Sequence, residues 1–386
     1  MLLAQGLARA SSPAAGETVH ITIVTATAPD GMDDAALPFR VVRRPGFVAL
    51  LKLLWEADMI HLAGPCFLPM VMGLALRKPG VVEHHGYQAV CPNGLLFYEP
   101  TKSICPGHFM ARRYHKCLGC NAESVGWIGS VAKLLLTIPR RWACQHLAAN
   151  IAVSNHVQNR IDLVRIRVIY HGIPDPLCGR EQHAEDCVAT HSRPPTFAYV
   201  GRLVSEKGLD LLVEAAHRLD ADHRSFTIKF IGDGPERPRL QADALAFGLR
   251  NSVVFTGYLK EADFDSALED VDAVVMPSIW EETAGLSAIE HMMRGRLVIA
   301  ADVGGLGEMV GEAGMKFPVG DVEGLASCMR RVLDQPSLTK ELGEKANERA
   351  LRLFPEARMV AEHVALYREL LQTRTRPDDL CSPQRS

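Results

Sequence analysis

Short apolar runs alternate with helical stretches along most of the chain, and this alternation constrains the fold more than any other feature of the sequence. Runs typical of buried strands cover 19–27, 58–64, 80–86, 150–154, 165–173, 196–203, 226–234, 252–259, 272–278 and 296–302. Helical spacing covers 208–219, 236–249, 262–269, 285–294 and 322–334. The pattern predicts parallel α/β sheets, in which ligands bind beyond the carboxyl ends of the strands.

The chain of 386 residues is too long for one ordinary hydrophobic core, since single cores stop growing near about 250–300 residues. The sequence therefore predicts an α/β fold of two Rossmann-like, doubly wound domains with a cleft between them. The first domain would span 1–180 and the second 196–355. The polar, turn-rich stretch 181–195 would be a linker, 356–372 a final helix and 373–386 a disordered tail.

Composition excludes several classes of protein. A formal charge of -3 gives no basic excess of the kind that nucleic-acid binding requires. No run approaches 18 apolar residues, so we expect no membrane-spanning helix, and the first residues do not resemble a signal peptide. Ten cysteines without a secretion signal fit reduced thiols. We therefore expect a cytoplasmic protein.

The segment Pro277–Met292, PSIWEETAGLSAIEHM, carries the most chemical information. A helix that begins near Gly285 would direct free backbone N–H groups toward an incoming anion, which makes its start a phosphate site. Glu290 lies on that helix, within reach of a hydroxyl of the same ligand. The alternative is an ordinary amphipathic helix with exposed glutamates.

Two cations follow the strand at 196–203 in the same way. Arg202 and Lys207 lie in the loop before Gly208 and the next helix, where they suit a diphosphate. Solvated surface cations are the alternative. The glycine-bearing strand ends FIGDGP (230–235) and FTGYL (255–259) permit close approach to a flat base. The first strand is followed by no G-x-G-x-x-G motif, and no P-loop motif occurs anywhere, which argues against dehydrogenases and P-loop ATPases.

GRLVSEKG, FIGDGP, VVFTGYL and PSIWEETAGLSAIE, in this order and spacing, resemble the donor-binding domain of family 4 glycosyltransferases of the GT-B fold. The likeness is closest over 196–335, and its most specific element is an E-x7-E motif matched by Glu282 and Glu290. The resemblance implies retaining transfer of a sugar from a nucleotide-sugar donor. It also implies that the terminal helix crosses back to the first domain.

The resemblance also assigns roles to single residues. Arg202 and Lys207 would hold the donor diphosphate and stabilise the leaving group, Glu290 would bind the ribose hydroxyls, and Glu282 would face the transferred sugar. Backbone and base contacts would come from Gly201, Gly232, Gly257, Tyr258, Leu259, Thr283, Ala284, Gly285 and Leu286. Cations and a helix terminus can stabilise a departing diphosphate without a metal, and no D-x-D pair suits a divalent ion. We therefore predict metal-independent catalysis.

A histidine-glycine pair of the family is matched by His85 and Gly86. The implied role of His85 is to contact the sugar or the acceptor near the reaction centre, and a neutral imidazole can donate to or accept from a hydroxyl. A buried structural histidine is the alternative. Its neighbour His84 should point away from the cleft, since successive side chains of a strand face opposite sides.

The start of the chain departs from the family. MLLAQGLARA matches the end of the family's first helix and VHITIVTAT its second strand, so the opening strand and its glycine-rich loop have no counterpart. Loss of that central strand would leave two neighbouring edges unpaired. Either Met1 is an internal methionine of a longer natural product, which we favour, or the protein is a degraded relative. Both put the activity of this exact chain in question.

Cys91, Cys105, Cys117 and Cys120 form the pattern C-x13-C-x11-C-x2-C. The spacing allows a structural zinc site, whereas reduced thiols without a metal are the alternative.

Between 102 and 141 the chain is basic and contains an apolar helical face with Trp127, Leu134, Leu135 and Trp142. This face would lie on an anionic membrane surface, contact a glycan or lipid-linked acceptor, or pack on its own domain. Pro139 should end the first part of this helix.

The sequence as a whole predicts a glycosyltransferase that moves a sugar to an unidentified glycan or lipid-linked acceptor, in cell-envelope or exopolysaccharide synthesis. A nucleotide-sugar epimerase of the same fold and a non-catalytic nucleotide-sugar-binding protein are the alternatives.

Overall fold

The computed structural model of the chain describes residues 1–10, 19–28, 33–175 and 193–374. Most of the expected linker and tail, 181–192 and 375–386, lies outside these residues. Within the described ranges, none of the helices combines the length and the apolarity that a membrane span requires.

In the residues that the structure describes, the first lobe contains eight strands and five α-helices. Its strands are β1 (Thr22–Thr25), β2 (Arg40–Arg43), β3 (Ile60–Leu62), β4 (Gly80–His84), β5 (Phe97–Tyr98), β6 (Ser103–Ile104), β7 (Ala149–Ala152) and β8 (Ile166–Val168). Its helices are α1 (Leu2–Ala10), α2 (Phe47–Glu56), α3 (Phe67–Ala75), α4 (Tyr114–His146) and α5 (Asn155–Ile161). All five strands that the sequence predicts in this half are present, though each is shorter than its apolar run.

The strands of the first lobe form two parallel sheets and one hairpin. β1 pairs with β2, while a separate four-stranded sheet has the order β3-β4-β7-β8, and β5 pairs antiparallel with β6. No described strand pairs with the free edges of β1 and β3. Two unpaired edges are the arrangement we expect where the family's opening strand has no counterpart.

The second lobe is one six-stranded parallel sheet of order β11-β10-β9-β12-β13-β14, with helices on both faces. Its strands are β9 (Thr196–Val200), β10 (Thr227–Ile231), β11 (Val253–Gly257), β12 (Ala273–Met276), β13 (Leu297–Ala301) and β14 (Met315–Phe317). Its helices are α6 (Leu209–Ala221), α7 (Arg237–Ala246), α8 (Glu261–Leu268), α9 (Leu286–Met293), α10 (Gly304–Val310), α11 (Val322–Asp334) and α12 (Ser337–Leu353).

The last helix, α13 (Glu356–Arg374), packs on the first lobe although it follows the second in the chain. Its residues Met359, Val360 and Leu366 share a buried apolar cluster with Val81 and Ile151 of the first-lobe sheet. This helix therefore covers one face of β4 and β7.

The expectation that Pro139 ends a helix is wrong. α4 continues through Pro139 to His146, and its break lies at Gly126, whose φ of 71° and ψ of 170° are not helical. Proline removes the hydrogen bond to the carbonyl four residues earlier, which here belongs to exposed Leu135, so solvent can replace the lost donor.

Candidate active site between the lobes

A tight loop places Lys207 beside the segment that precedes α9. Gly208 adopts a φ of +61°, and a Cβ there would lie 2.3 Å from the Pro277 carbonyl oxygen, so only glycine lets the two segments approach this closely. The backbone N–H of Ile279 donates to the Glu206 carbonyl at 3.1 Å. The loop after β9 is thereby fixed against the loop after β12.

Lys207 and Glu282 form an ion pair in this contact. The Lys207 Nζ lies 2.9 Å from Glu282 Oε1 and 5.5 Å from the centre of the Trp280 ring. Glu282 is buried, and Ser278 Oγ donates a hydrogen bond to the same carboxylate. A buried carboxylate needs such compensation, and here a cation and a hydroxyl supply it.

Arg202 lies on the same loop, but its side chain is 78% exposed and its nearest acidic partner is Glu206, at 3.8 Å. The structure therefore brings Lys207, Glu282 and the start of α9 together and leaves the Arg202 guanidinium in solvent beside them.

The start of α9 is held by both lobes. Gly285 is its N-cap with a φ of 63°, and Ser287 Oγ donates to the Val200 carbonyl at 3.4 Å. Thr283 Oγ1 donates to the His85 carbonyl at 3.2 Å, and Ala284 is buried within the apolar core of the first lobe. Leu286 is exposed. The free N–H groups of the first turn therefore lie at the junction of the lobes.

Glu290 is the fifth residue of α9 and lies at the surface. Partial burial of its carboxyl raises its pKa above the usual value, while Arg294 acts in the opposite direction. Neighbouring protein atoms replace part of the water around the carboxyl, and this loss of solvation disfavours its ionised form.

Three glycines bring the ends of β9, β10 and β11 together. A Cβ on Gly232 would lie 2.0 Å from the Gly201 carbonyl oxygen, and the Gly232 N–H donates to the Gly257 carbonyl at 3.0 Å. Beyond them Tyr258 is exposed and Leu259 packs on the sheet. The glycines that the sequence singled out do lie next to one another.

His85 is half-exposed at the junction, and its ring stacks on that of His171 at a centroid distance of 5.0 Å. His84 points the other way, as expected. It is buried, its Nε2 lies 3.0 Å from Asn150 Oδ1, and burial lowers its pKa to about 4. Only His85 of the pair belongs to the candidate site.

Sequence reasoning missed the contacts that hold the lobes together. Arg160 Nε lies 2.8 Å from Glu281 Oε2, and Ser154 Oγ donates to the Thr283 carbonyl. Glu308 accepts from the first two N–H groups of α5, at Asn155 and His156. Each contact joins residues more than 100 positions apart in the sequence, and such pairs cannot be predicted from a local motif.

The four cysteines of the predicted zinc site line one small pocket and are buried and free of disulfides. Asn93 bridges two of them, since it accepts from the Cys91 thiol at 2.9 Å and its Nδ2 lies 3.6 Å from the Cys120 sulfur. Burial raises the pKa of Cys117 to about 12. Two groups of described residues place three ligand atoms within 4.8 Å of one another; both include Glu83 and neither includes a cysteine.

His291, next to Glu290, gives a pH prediction. It is fully buried, neither ring nitrogen has a hydrogen-bond partner among the described residues, and burial lowers its pKa to about 3. Between pH 6.5, near the ordinary pKa of histidine, and pH 3, His291 binds more protons in the unfolded chain than in the folded protein. The contribution of neutral, buried His291 to stability is therefore complete above pH 6.5 and decreases as the pH falls. We expect a decrease from pH 7 to pH 5 to cost about 2 kcal/mol through His291 alone.

Urea unfolding at both pH values tests this in the wild type, in His291→Leu and in the control His217→Gln, which changes an exposed histidine. The loss between pH 7 and pH 5 should shrink in His291→Leu and remain in the control. An equal loss in all three proteins would contradict the prediction.

Comparisons with known proteins agree with this geometry. A family model described as glycosyl transferases group 1 matches residues 185–349. The 2-deoxystreptamine glucosyltransferase of Streptomyces kanamyceticus is 38% identical over 295 residues, which cover 74% of this chain and 71% of that protein. The D-rhamnosyltransferase WbpZ of Pseudomonas aeruginosa is 30% identical over 314 residues, covering 80% and 72%.

Among solved structures, HepE of Anabaena in complex with UDP and glucose superposes with a TM-score of 0.66 at 18% identity over 95% of both chains. The parallel sheets, the shared fold and the identity to named transferases over more than two thirds of their length lead to one conclusion. The chain belongs to the glycosyl transferases group 1 family and is a glycosyltransferase of the GT-B fold.

Proposed function

We propose that this enzyme transfers a sugar, with retention of anomeric configuration, from a nucleotide-sugar donor bound between its lobes. The observation that carries the proposal is the contact of Lys207 with Glu282 directly before the start of α9. A cation and the amino end of a helix together form a site for a diphosphate. A carboxylate in the same contact can face the sugar attached to it.

The proposed roles follow the E-x7-E motif of family 4, in which Glu282 faces the transferred sugar and Glu290 binds the ribose hydroxyls. Lys207 stabilises the negative charge that develops on the leaving diphosphate, without a metal. Arg202 joins it by swinging from solvent, for which its exposed side chain is free. The backbone from Thr283 to Leu286 binds phosphate and sugar.

The base of the donor is proposed to lie at the strand ends Gly201, Gly232 and Gly257, with Tyr258 and Leu259 beside it. None of the three glycines carries a side chain of its own, so their backbones can approach a flat ligand closely. UDP is the first probe to try, because HepE of the same fold binds UDP.

The donor proposal predicts selective stabilisation by one nucleoside diphosphate. In a thermal-shift screen of UDP, GDP, ADP and dTDP, a ligand at 100 times its Kd should add about 2.7 kcal/mol to stability. Glu290→Ala should reduce that shift, whereas Glu341→Ala, which alters an exposed glutamate of α12, should retain it. Equal shifts in Glu290→Ala and the wild type would place the ribose elsewhere.

We further propose a glycan or lipid-linked acceptor of cell-envelope or exopolysaccharide synthesis, bound by the first lobe near His85. Exposed apolar side chains on α2 and on α4, two helices that each contact α3, support it. Leu134 is buried, contrary to its assignment to the exposed face, but Trp127 and Trp55 are each 67% exposed. Further exposed apolar side chains of these helices are Phe47, Val48, Ile128, Leu135, Ile138 and Trp142. Lys133 on α4 adds positive charge for an anionic membrane surface.

Vesicle sedimentation tests the membrane contact. The wild type should sediment with vesicles containing anionic phospholipid and much less with neutral ones, and Trp127→Ser together with Ile128→Ser should abolish sedimentation. The paired control Leu245→Ser and Val254→Ser alters exposed apolar residues of the second lobe and should sediment normally. Unchanged sedimentation of the Trp127 and Ile128 variant would exclude this face.

Zinc at Cys91, Cys105, Cys117 and Cys120 stays a prediction. Their common pocket supports it, and the metal measurements described below separate this site from a second one.

A further inference from the structure

A buried carboxylate surrounded by four imidazoles lies at the carboxyl end of β4, under the terminal helix α13. Glu83 is buried, and its Oε2 lies 3.4 Å from His61 Nε2, 3.7 Å from His85 Nε2 and 3.9 Å from His363 Nε2. His171 Nδ1 lies 3.8 Å from its other oxygen. Apart from His85, the residues of this cluster take no part in the candidate site or in the contacts between the lobes described above.

The hydrogen bonds of His363 determine what it can offer to Glu83. His363 is completely buried, and its Nδ1 lies 2.8 Å from the carbonyl oxygen of Met359, one turn earlier in α13. A carbonyl only accepts, so Nδ1 carries a proton. In the neutral ring Nε2 then presents its lone pair toward Glu83, 3.9 Å away.

Two acceptors therefore face each other in a buried place. His363 Nε2 has no hydrogen-bond partner among the described residues, and a carboxylate oxygen is the polar atom in front of it. Such an arrangement is unfavourable unless a cation or a shared proton lies between the two atoms. A metal ion satisfies both lone pairs at once.

His61 completes a set of three ligands. Its Nε2 faces Glu83, and its Nδ1 lies 2.8 Å from the hydroxyl of Tyr367, also on α13. Metal-binding histidines hold their second nitrogen by a hydrogen bond of this kind. The nitrogens of His61 and His363 and a Glu83 oxygen all lie within 4.8 Å of one another.

We propose that His61, Glu83 and His363 bind a divalent transition-metal ion, with zinc as the best match. Two imidazoles and one carboxylate are ordinary zinc ligands, and bonds of about 2.0–2.2 Å place tetrahedral ligand atoms about 3.3–3.5 Å apart. The separations of 3.4 and 3.9 Å from Glu83 need only small side-chain rotations. The ion would fasten α13 to strands β3 and β4.

A second group, Glu83 with His85 and His171, also brings three ligand atoms together. Its two histidines contact each other, with 3.3 Å between His85 Nδ1 and His171 Nε2, and His85 lies at the active site. The set with His61 and His363 is favoured because hydrogen bonds to Tyr367 and to the Met359 carbonyl orient its two rings.

The experiment uses the full chain, stripped with chelator and titrated with Zn²⁺ or Co²⁺. We expect one equivalent of Zn²⁺ to bind the Cys117→Ser, Cys120→Ser double variant, which excludes the cysteine pocket. Co²⁺ should give visible bands of a nitrogen and oxygen ligand set without thiolate charge-transfer absorption. His363→Gln and His61→Gln should lose this binding, and His217→Gln should keep it.

Tyr367→Phe is a milder test in case the histidine variants fail to fold, because it removes one hydroxyl and leaves all three proposed ligands in place. It should weaken Zn²⁺ binding by about 10–100-fold, the usual effect of losing a partner of a metal-bound histidine. The proposal is overturned if the double cysteine variant binds less than about a tenth of an equivalent. It is also overturned if folded His363→Gln and His61→Gln bind Zn²⁺ as the wild type does, and a shared proton would then explain the cluster.

Discussion

Lys207→Ala should lower kcat for sugar transfer by about 10²–10³-fold while the protein remains folded. The physical reason is that the ammonium stabilises charge that exists only when the diphosphate leaves, so its removal raises the barrier more than it weakens substrate binding. Steady-state kinetics with the stabilising nucleotide sugar and its acceptor measure the effect. Circular dichroism must show the wild-type fold, because Glu282 loses its partner.

Two further proteins separate catalysis from stability. Lys207→Ala with Glu282→Gln removes the unpaired charge and should recover stability without activity. Lys316→Ala removes a lysine that pairs with Asp302 at 3.2 Å outside the site, and it should retain kcat within about twofold. Wild-type kcat in folded Lys207→Ala would refute the assigned role.

Gly305→Ala should distort the candidate site, although Gly305 itself is not one of the residues proposed to bind the donor. An added Cβ would lie 2.1 Å from the Thr283 carbonyl oxygen, so the segment before α9 must move. We expect a stability loss of about 1–3 kcal/mol, as for other overpacked positions. Activity should fall by about 10²-fold, since a displacement near 1 Å of a positioned group has that cost.

Urea unfolding and kinetics at saturating donor measure both effects. Gly46→Ala is the matched control, because a Cβ at Gly46 meets no atom within 4 Å, and it should change neither quantity appreciably. If Gly305→Ala matched the wild type in kcat, the position of Thr283 would be irrelevant to transfer.

The sequence predicted the second lobe well, for a physical reason. Its central strands β9, β12 and β13 are mostly apolar and buried on both faces, as is typical of parallel sheets. The candidate site residues follow these strands closely in the sequence, so their positions in the fold could be inferred from the strand pattern. Lys207 and Glu282 are 75 positions apart, yet both follow strands that are neighbours in the sheet, and the parallel topology places them together. Strand β14 was missed because it has three residues, with Lys316 at its centre.

The first lobe was predicted less well. Strand β2 reads RVVR, too short and too charged to stand out, and the division into two sheets depends on which edges pair. The cluster around Glu83 was invisible because its histidines come from β3, the ends of β4 and β8, and α13. Only the position of His363 beneath the sheet, decided by packing of the whole chain, brings them together.

The packing of α13 also decides how the enzyme can be divided. Because α13 follows the second lobe in the sequence but packs on the first, the first lobe is built from segments on either side of the second. A fragment ending near residue 175 would expose Val81, Ile151 and Ile169 to water and lose the ion pair of Arg167 with Glu369. Separate expression of the halves therefore requires a permuted gene that joins the terminal helix directly to the first segment.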